Sequence, residues 1–259
     1  MENSLPAIIP AAGRGSRLLP ITRYLSKPML PLGNRPLIFY AITEALKAGC
    51  LPLAVVGAPG DQQLYDYVEL IARNNPIEYV IQPEPAGLAD AVLRGFRRLD
   101  IEGPAALLLP DNIVLGAAGI GEIINDYTDG LCFGTIEIDF EQAGYFGNSG
   151  AYQSKPGGGR IEKITGLQSK GNGCFRSAVS TWPARRTVGR AILPELFFEI
   201  AEKIKPQFEG EELDDVPVYR QLIEKQPATG VRLSGQVFDT GTPRRYLRLA
   251  AFIGEKNYG

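Results

Sequence analysis

Histidine is absent from this 259-residue chain. Without imidazole there is no Ser-His-Asp or Cys-His relay, no His-ligated zinc and no imidazole proton shuttle. Cysteine is scarce. Cys50, Cys132 and Cys174 are too few and too scattered for a disulfide framework or a four-cysteine zinc site, so reduced thiols are expected. No run of eighteen apolar residues occurs, and none of the length a membrane span needs is expected. The opening residues Met1 to Pro6 lack the basic start and apolar core of a signal peptide. A charge excess is missing as well: 27 basic against 29 acidic residues give a net charge of −2. Such a chain has no global field to attract nucleic acid or anionic lipid. What remains is a cytoplasmic enzyme or binding protein that works with carboxylates, lysines, arginines, hydroxyls or a bound metal.

The composition, 44% hydrophobic and 22% charged, suits one large α/β domain or two small ones. Residues 7–9, 53–56, 77–81 and 105–109 are short apolar runs bounded by Gly and Pro, the pattern of buried strands. Between them, 36–48, 61–73 and 87–99 have helical periodicity, with Leu88, Ala91, Val92, Phe96 and Leu99 on one face of the last. Regular alternation of strand and helix implies crossover units and a parallel sheet covered on both faces. After residue 130 the pattern changes. Residues 131–138, 150–153, 159–165 and 187–192 are strand-like, and 194–204, 213–225 and 244–253 are helical. With no repeat and no long linker, the expectation is a single domain over 1–259. It has a nucleotide-binding half at 1–130 and a second half at 131–259, built on an α/β, Rossmann-like, mixed and mainly parallel sheet flanked by helices.

The densest signal runs from Ile8 to Pro36. A strand enters Pro10-Ala11-Ala12-Gly13-Arg14-Gly15-Ser16-Arg17, and a proline-containing loop then carries Lys27. From residue 3 to 43 there are five basic residues (Arg14, Arg17, Arg23, Lys27, Arg35) and no acidic one. In a nearly neutral chain this is a local anion site. Gly13 and Gly15 let backbone N–H groups approach a ligand, as phosphate cradles require. Neither GxGxxG nor GxxxxGK[ST] is present, so a plain glycine turn with solvated arginines is the structural alternative.

The match extends further. The loop, followed by Lys27-Pro28-Met29-Leu30-Pro31-Leu32 and Arg35-Pro36-Leu37-Ile38, resembles the sugar-1-phosphate nucleotidyltransferases, the uridylyl- and thymidylyltransferases of glucose 1-phosphate in particular. Gln82-Pro83 with Gly87-Leu88-Ala89 is similar to the family's base-reading segment. Leu109-Pro110-Asp111-Asn112 and Phe238-Asp239-Thr240-Gly241 are similar to its two aspartate motifs. The resemblance implies a Rossmann-like fold and transfer of a nucleotidyl group from UTP or dTTP to a hexose 1-phosphate. It implies Arg17, Lys27 and Asp111 as catalytic residues, and Ala11, Ala12, Gly13, Gly15, Gln82 and Gly87 as nucleotide contacts. It further implies Gly147, Glu162 and Lys163 as sugar-phosphate contacts, and one Mg²⁺ held between Asp111 and Asp239. Partners would be the triphosphate and the sugar phosphate, with a second copy of the chain as a candidate and neither nucleic acid nor membrane.

The chemistry suits the inventory. A phosphate monoester has a second pKa near ~6, so the attacking oxygen is already anionic and no general base is required. The task is to bring two polyanions together, which needs positioning and several cations. Asp111 follows an apolar strand, at the sheet edge where open α/β folds bind ligands. Its hard oxygens suit Mg²⁺; a turn after the strand is the structural alternative. Gln82 carries a donor and an acceptor for a pyrimidine imide edge. The second half departs from the family pattern: Asn148 follows Phe146-Gly147, and Ile164 stands where the family has proline after Glu162-Lys163. Val188-Gly189-Arg190 resembles a family strand, whereas 181–186 is unrecognisable. The acidic run Glu209 to Asp215 fits a solvated helix start. Competing functions are a dTTP-dependent thymidylyltransferase and, in a different class, a non-catalytic paralogue that senses nucleotide or sugar.

Overall fold

A computed structural model describes residues 4–146, 150, 152–155, 159–168, 175, 179, 182–208 and 212–258. In chain order, β1 (Ala7–Pro10) leads into the entry loop and the short ribbon β2 (Pro31–Leu32) and β3 (Arg35–Pro36), followed by α1 (Leu37–Lys47). Then come β4 (Leu53–Gly57), α2 (Gln62–Ala72), β5 (Ile77–Ile81), α3 (Leu88–Arg98), β6 (Ala105–Leu108), β7 (Asn112–Leu115) and α4 (Ile120–Asp126). The second half contains β8 (Leu131–Ile138), β9 (Tyr152–Lys155), β10 (Ile161–Leu167), β11 (Ala184–Leu193), α5 (Glu195–Ile204), α6 (Asp215–Lys225), β12 (Ala228–Arg232), β13 (Gln236–Asp239) and α7 (Pro243–Tyr258).

Nine strands form one sheet in the order β5-β4-β1-β6-β11-β8-β12-β10-β9. The first four are mutually parallel, and across the sheet all strands but β11 and β10 point the same way. The continuous apolar runs are explained by burial on both faces. Ala7 and Ile9 of β1 pack under α1 and α2, whereas Ile8 packs under α3 on the opposite face. Each isoleucine contributes about 1.5–3 kcal/mol on burial. The strands and helices read from the sequence are all present with shifted ends. The strand expected at 150–153 is Tyr152–Lys155, and the one expected at 187–192 extends over Ala184–Leu193.

Not legible were α4, β12 and two ribbons, the short one of β2 with β3 and that of β7 with β13. The second ribbon matters most, because its register sets Asp239 opposite Asn112. A third apolar cluster then fastens the entry loop. Leu18, Leu30 and Leu32 pack with Ile113 of β7 and with Leu249 and Ile253 of α7. No described helix is long and apolar enough to cross a membrane. Cys50 and Cys132 are buried, and burial pushes their thiols up to about 12 and about 11; Cys174 lies outside the described residues.

Candidate active site

The carboxyl ends of β1 and β6 open onto a cleft of about 920 Å³. Ala11, Ala12, Gly13 and Gly15 line it where the entry loop leaves β1. The Ala11 N–H still donates to Val56 O at 2.7 Å, so the loop begins as a continuation of the sheet. Gly15 then takes a left-handed conformation (φ +61°) before the 3₁₀ turn Ser16–Leu18, and its carbonyl accepts from Thr22 Oγ1 at 2.9 Å. This turn sends Arg17 into the cleft and brings the chain back so that Lys27 lies beside Gly15.

Lys27 Nζ donates to Asp111 Oδ2 at 2.5 Å, and Asn112 Nδ2 donates to Asp111 Oδ1 at 2.8 Å. Burial alone would push the Asp111 carboxyl up. The Lys27 ammonium, the Asn112 amide and the nearby Arg17 guanidinium outweigh it and hold the group below the usual carboxylate range. The main chain of Asp111 is fixed separately, because its carbonyl accepts from both N–H (2.9 Å) and Oγ1 (3.0 Å) of Thr240. That contact, with the β7–β13 register, brings the Asp239 motif to Asp111. Asp239 Oδ1 accepts from the Gly241 N–H at 2.7 Å, and Oδ2 from Arg245 at 3.3 Å. Two carboxylates and no third His, Cys, Asp or Glu cluster among the described residues. Such a hard, oxygen-only, sparse donor set fits Mg²⁺ completed by phosphate oxygens, and does not fit zinc.

Beneath this centre lies a buried ion pair that sequence reasoning missed. Arg190 of β11 has no exposed side-chain surface and uses all five of its N–H donors. Nε and Nη2 reach the two Glu44 oxygens of α1 at 2.7 Å each. Nη1 donates to the carbonyls of Leu109 and Gly189, and Nη2 also to that of Asn112. The guanidinium thus grips the chain on either side of Asp111. The signal was available: Glu44 stands among Leu37, Ile38, Ala41 and Ala45 on the buried face of its helix, where a charge needs a partner.

On the other side of the cleft Gln82 directly follows β5 and is 5% exposed, and Gly87 precedes α3 with φ +95°. Any Cβ on Gly87 would stand 2.3 Å from Leu213 O. The Gly87 turn and the Leu213 strap are tied by bonds from Ala89 N to Leu213 O and from Leu213 N to Ala86 O. Gly87→Ala is therefore expected to destabilise the fold by about 1–3 kcal/mol, the cost of a strained φ with a backbone clash. It should also weaken nucleotide binding, and thermal melts with and without UTP measure both.

A family model described as nucleotidyl transferase matches residues 6–131. The UTP–glucose-1-phosphate uridylyltransferase of Komagataeibacter xylinus is 30% identical over 262 residues, spanning 91% of this chain and 89% of that one. The chain belongs to the sugar-1-phosphate nucleotidyltransferases. The glucose-1-phosphate thymidylyltransferase of Neisseria gonorrhoeae is 28% identical, over 96% of this chain and 82% of its own. A solved UDP-glucose pyrophosphorylase in complex with UDP-glucose shares the fold, with a TM-score of 0.83 at 24% identity over 98% of this chain and 100% of that one.

Within this nucleotidyltransferase, the residues expected at the nucleotide and metal centre converge: Arg17, Lys27, Gln82, Gly87, Asp111 and Asp239 all line one cleft. The sugar-phosphate residues do not join them. Glu162 and Lys163 point to opposite faces of β10, and neither lines the cleft. Glu162 is buried, accepting from Tyr152 Oη at 2.5 Å and from Arg185 Nη1 at 2.7 Å, while Lys163 is exposed. Gly147 lies outside the described residues. The acidic run is not simply solvated: Glu212 and Asp215 line the cleft, and Asp214 caps α6 by accepting from Asp215 N.

Arg186 and Arg245 are cleft cations that the sequence reading did not assign. Arg186 is buried, with its guanidinium 4.4 Å from the Phe146 ring centroid. Burial pushes it down to about 10; Asp239 and Asp111 pull it back up, whereas Arg245 adds to the lowering. It stays charged at neutral pH.

Proposed function

We propose that the chain transfers uridylyl from UTP to glucose 1-phosphate, forming UDP-glucose and pyrophosphate. The observation that carries the reading is the convergence of Arg17, Lys27, Asp111 and Asp239 on one cleft whose far wall holds Gln82 and Gly87. In the reaction a phosphate oxygen of the sugar 1-phosphate attacks the α-phosphorus and forms the new P–O bond. The bond from that phosphorus to the bridging oxygen breaks, and its electron pair leaves with pyrophosphate. No proton moves from carbon or hydroxyl, so a protein without histidine loses nothing.

Positioning and charge are what the residues supply. The backbone of Ala11 to Gly15 approaches the triphosphate, and Arg17 holds the departing pyrophosphate. Lys27 neutralises charge at the reacting phosphate. At an effective dielectric near 20, each cation about 4 Å from an anion is worth about 4 kcal/mol. Asp111 and Asp239 would hold one Mg²⁺, which would supply charge neutralisation to the phosphates. Lys27 and Asn112 each use one lone pair of the Asp111 carboxylate, so acceptor capacity would remain there for a divalent cation. Arg186 takes the place expected of Lys163 as the cation for the sugar phosphate; it lines the cleft, within electrostatic reach of both aspartates.

Arg17→Ala should weaken UTP binding roughly 10–100-fold, the scale of one lost charge-assisted bond, while slowing chemistry much less. Equilibrium titration beside single-turnover kinetics separates the two, and unchanged UTP affinity would remove Arg17 from the pyrophosphate site. The function itself is tested with UTP, dTTP, CTP, ATP and GTP, each supplied with glucose 1-phosphate and Mg²⁺, by measuring pyrophosphate. The reading requires the highest kcat/KM with UTP. A higher value with dTTP makes the protein a thymidylyltransferase, and nucleotide binding without turnover makes it a sensor.

A further inference from the structure

The carboxamide of Gln82 is held in one orientation by the Gly87 carbonyl and by Asp90, which does not line the cleft. Its Nε2 donates to Gly87 O at 3.0 Å and to Asp90 Oδ2 at 2.8 Å, which uses both amide protons. Flipping the amide would set Oε1 against a carbonyl and a carboxylate, neither of which can donate. Asp90 stands in the first turn of α3 with no exposed surface. It is kept ionised: Lys205 Nζ lies 2.6 Å from Oδ1 and Arg94 Nε 2.8 Å from Oδ2. Burial alone would raise its pKa, but those two cations and Gln82 hold it below the usual carboxylate range. Asp90 is therefore an acceptor and never a donor.

We infer that Asp90 is a positioning residue for nucleobase selection. Together with the Gly87 carbonyl it commits both donors of Gln82 to the protein, so Gln82 offers the cleft an acceptor only, and the site takes a base with a ring N–H at that point. Uracil and thymine present such an imide N–H; cytosine presents a bare ring nitrogen there and is repelled. The inference rests on the nucleotidyl-transfer reading and narrows it. It also revises the expectation that Gln82 gives the base both a donor and an acceptor.

The test is calorimetric titration of the protein with UTP, dTTP, CTP and 3-methyl-UTP, each with Mg²⁺. UTP and dTTP share the imide, and their two titrations show which the pocket prefers. For the wild type, CTP and 3-methyl-UTP should bind at least tenfold more weakly than the better of the two, the scale of one hydrogen bond exchanged for a repulsion. In Asp90→Asn the new amide can donate to Gln82, which leaves the Gly87 carbonyl as the one group still opposing the turned amide. The ratio of CTP to UTP dissociation constants should then fall by roughly tenfold. A purely structural role for Asp90 would weaken all four ligands equally and leave the ratio untouched. Should Asp90→Asn fail to fold with Lys205 left unpaired, Asp90→Asn/Lys205→Met removes that charge, while Arg94, 30% exposed, can reach water. Equal wild-type affinity for UTP and CTP, or a folded variant that keeps the full ratio, overturns the inference alone. Failure to bind any of the four overturns the nucleotidyl-transfer reading with it.

Discussion

Asp111→Asn is expected to lower kcat by roughly 10²–10³, the scale on which a preorganised charge-stabilising group acts, with little change in melting temperature. The two effects separate because different parts of Asp111 do different work. Its carbonyl carries the bonds from Thr240 that join the two aspartate motifs, and a substitution of the side chain leaves them intact. Its carboxylate accepts from Lys27 and Asn112 in the cleft. Asparagine is nearly isosteric, so it removes a charge and a hard metal ligand without opening a void. Measured against Mg²⁺ concentration, the variant should need more metal and still fall short at saturation. Wild-type turnover at sub-saturating Mg²⁺ would remove Asp111 from the metal site.

The second large effect is on stability. Glu44→Ala leaves the Arg190 guanidinium fully buried without its counter-ion, a change that costs about 3–5 kcal/mol when one partner of a buried pair is removed. In a chain of this size each kcal/mol shifts the melting temperature by roughly 2–4 °C, so a loss on the order of 10 °C is expected. The double variant Glu44→Leu/Arg190→Met removes both charges and should recover part of that stability. It should not recover activity, because the carbonyls of Leu109 and Asn112 lose the donors that fix the chain on either side of Asp111. Thermal melts and kcat on the same preparations test the split. Recovery of both together would show that Arg190 stabilises the fold without placing Asp111.

Those two residues also mark what the sequence could and could not disclose. The parallel half was legible because its inner strands are buried on both faces, which forces continuous apolar runs such as Leu53–Gly57 and Ala105–Leu108. Asp111 was legible as a site residue because it follows such a strand at the ligand-binding edge. The β7–β13 ribbon was not: its strands are four residues each and pair across more than a hundred residues of chain, so no local pattern announces them. Glu162 misleads for a related reason. Between Ile161 and Lys163 it looks like one of the polar residues of a half-exposed strand, yet it is Ile161 that faces solvent. Glu162 is buried on Tyr152 and Arg185, partners that strand periodicity cannot supply. Arg186 escaped notice because its segment matches no motif and its burial depends on the ring of Phe146, forty residues away.

The most direct measurement is product stoichiometry. With UTP, glucose 1-phosphate and Mg²⁺, the protein should form one UDP-glucose for each pyrophosphate. An α-³²P label on UTP should pass to the sugar nucleotide and a γ-³²P label to pyrophosphate, with both products lost together in Asp111→Asn. Release of inorganic phosphate instead, α-label appearing in free UMP, or no product from UTP or dTTP with any hexose 1-phosphate would contradict nucleotidyl transfer in this cleft.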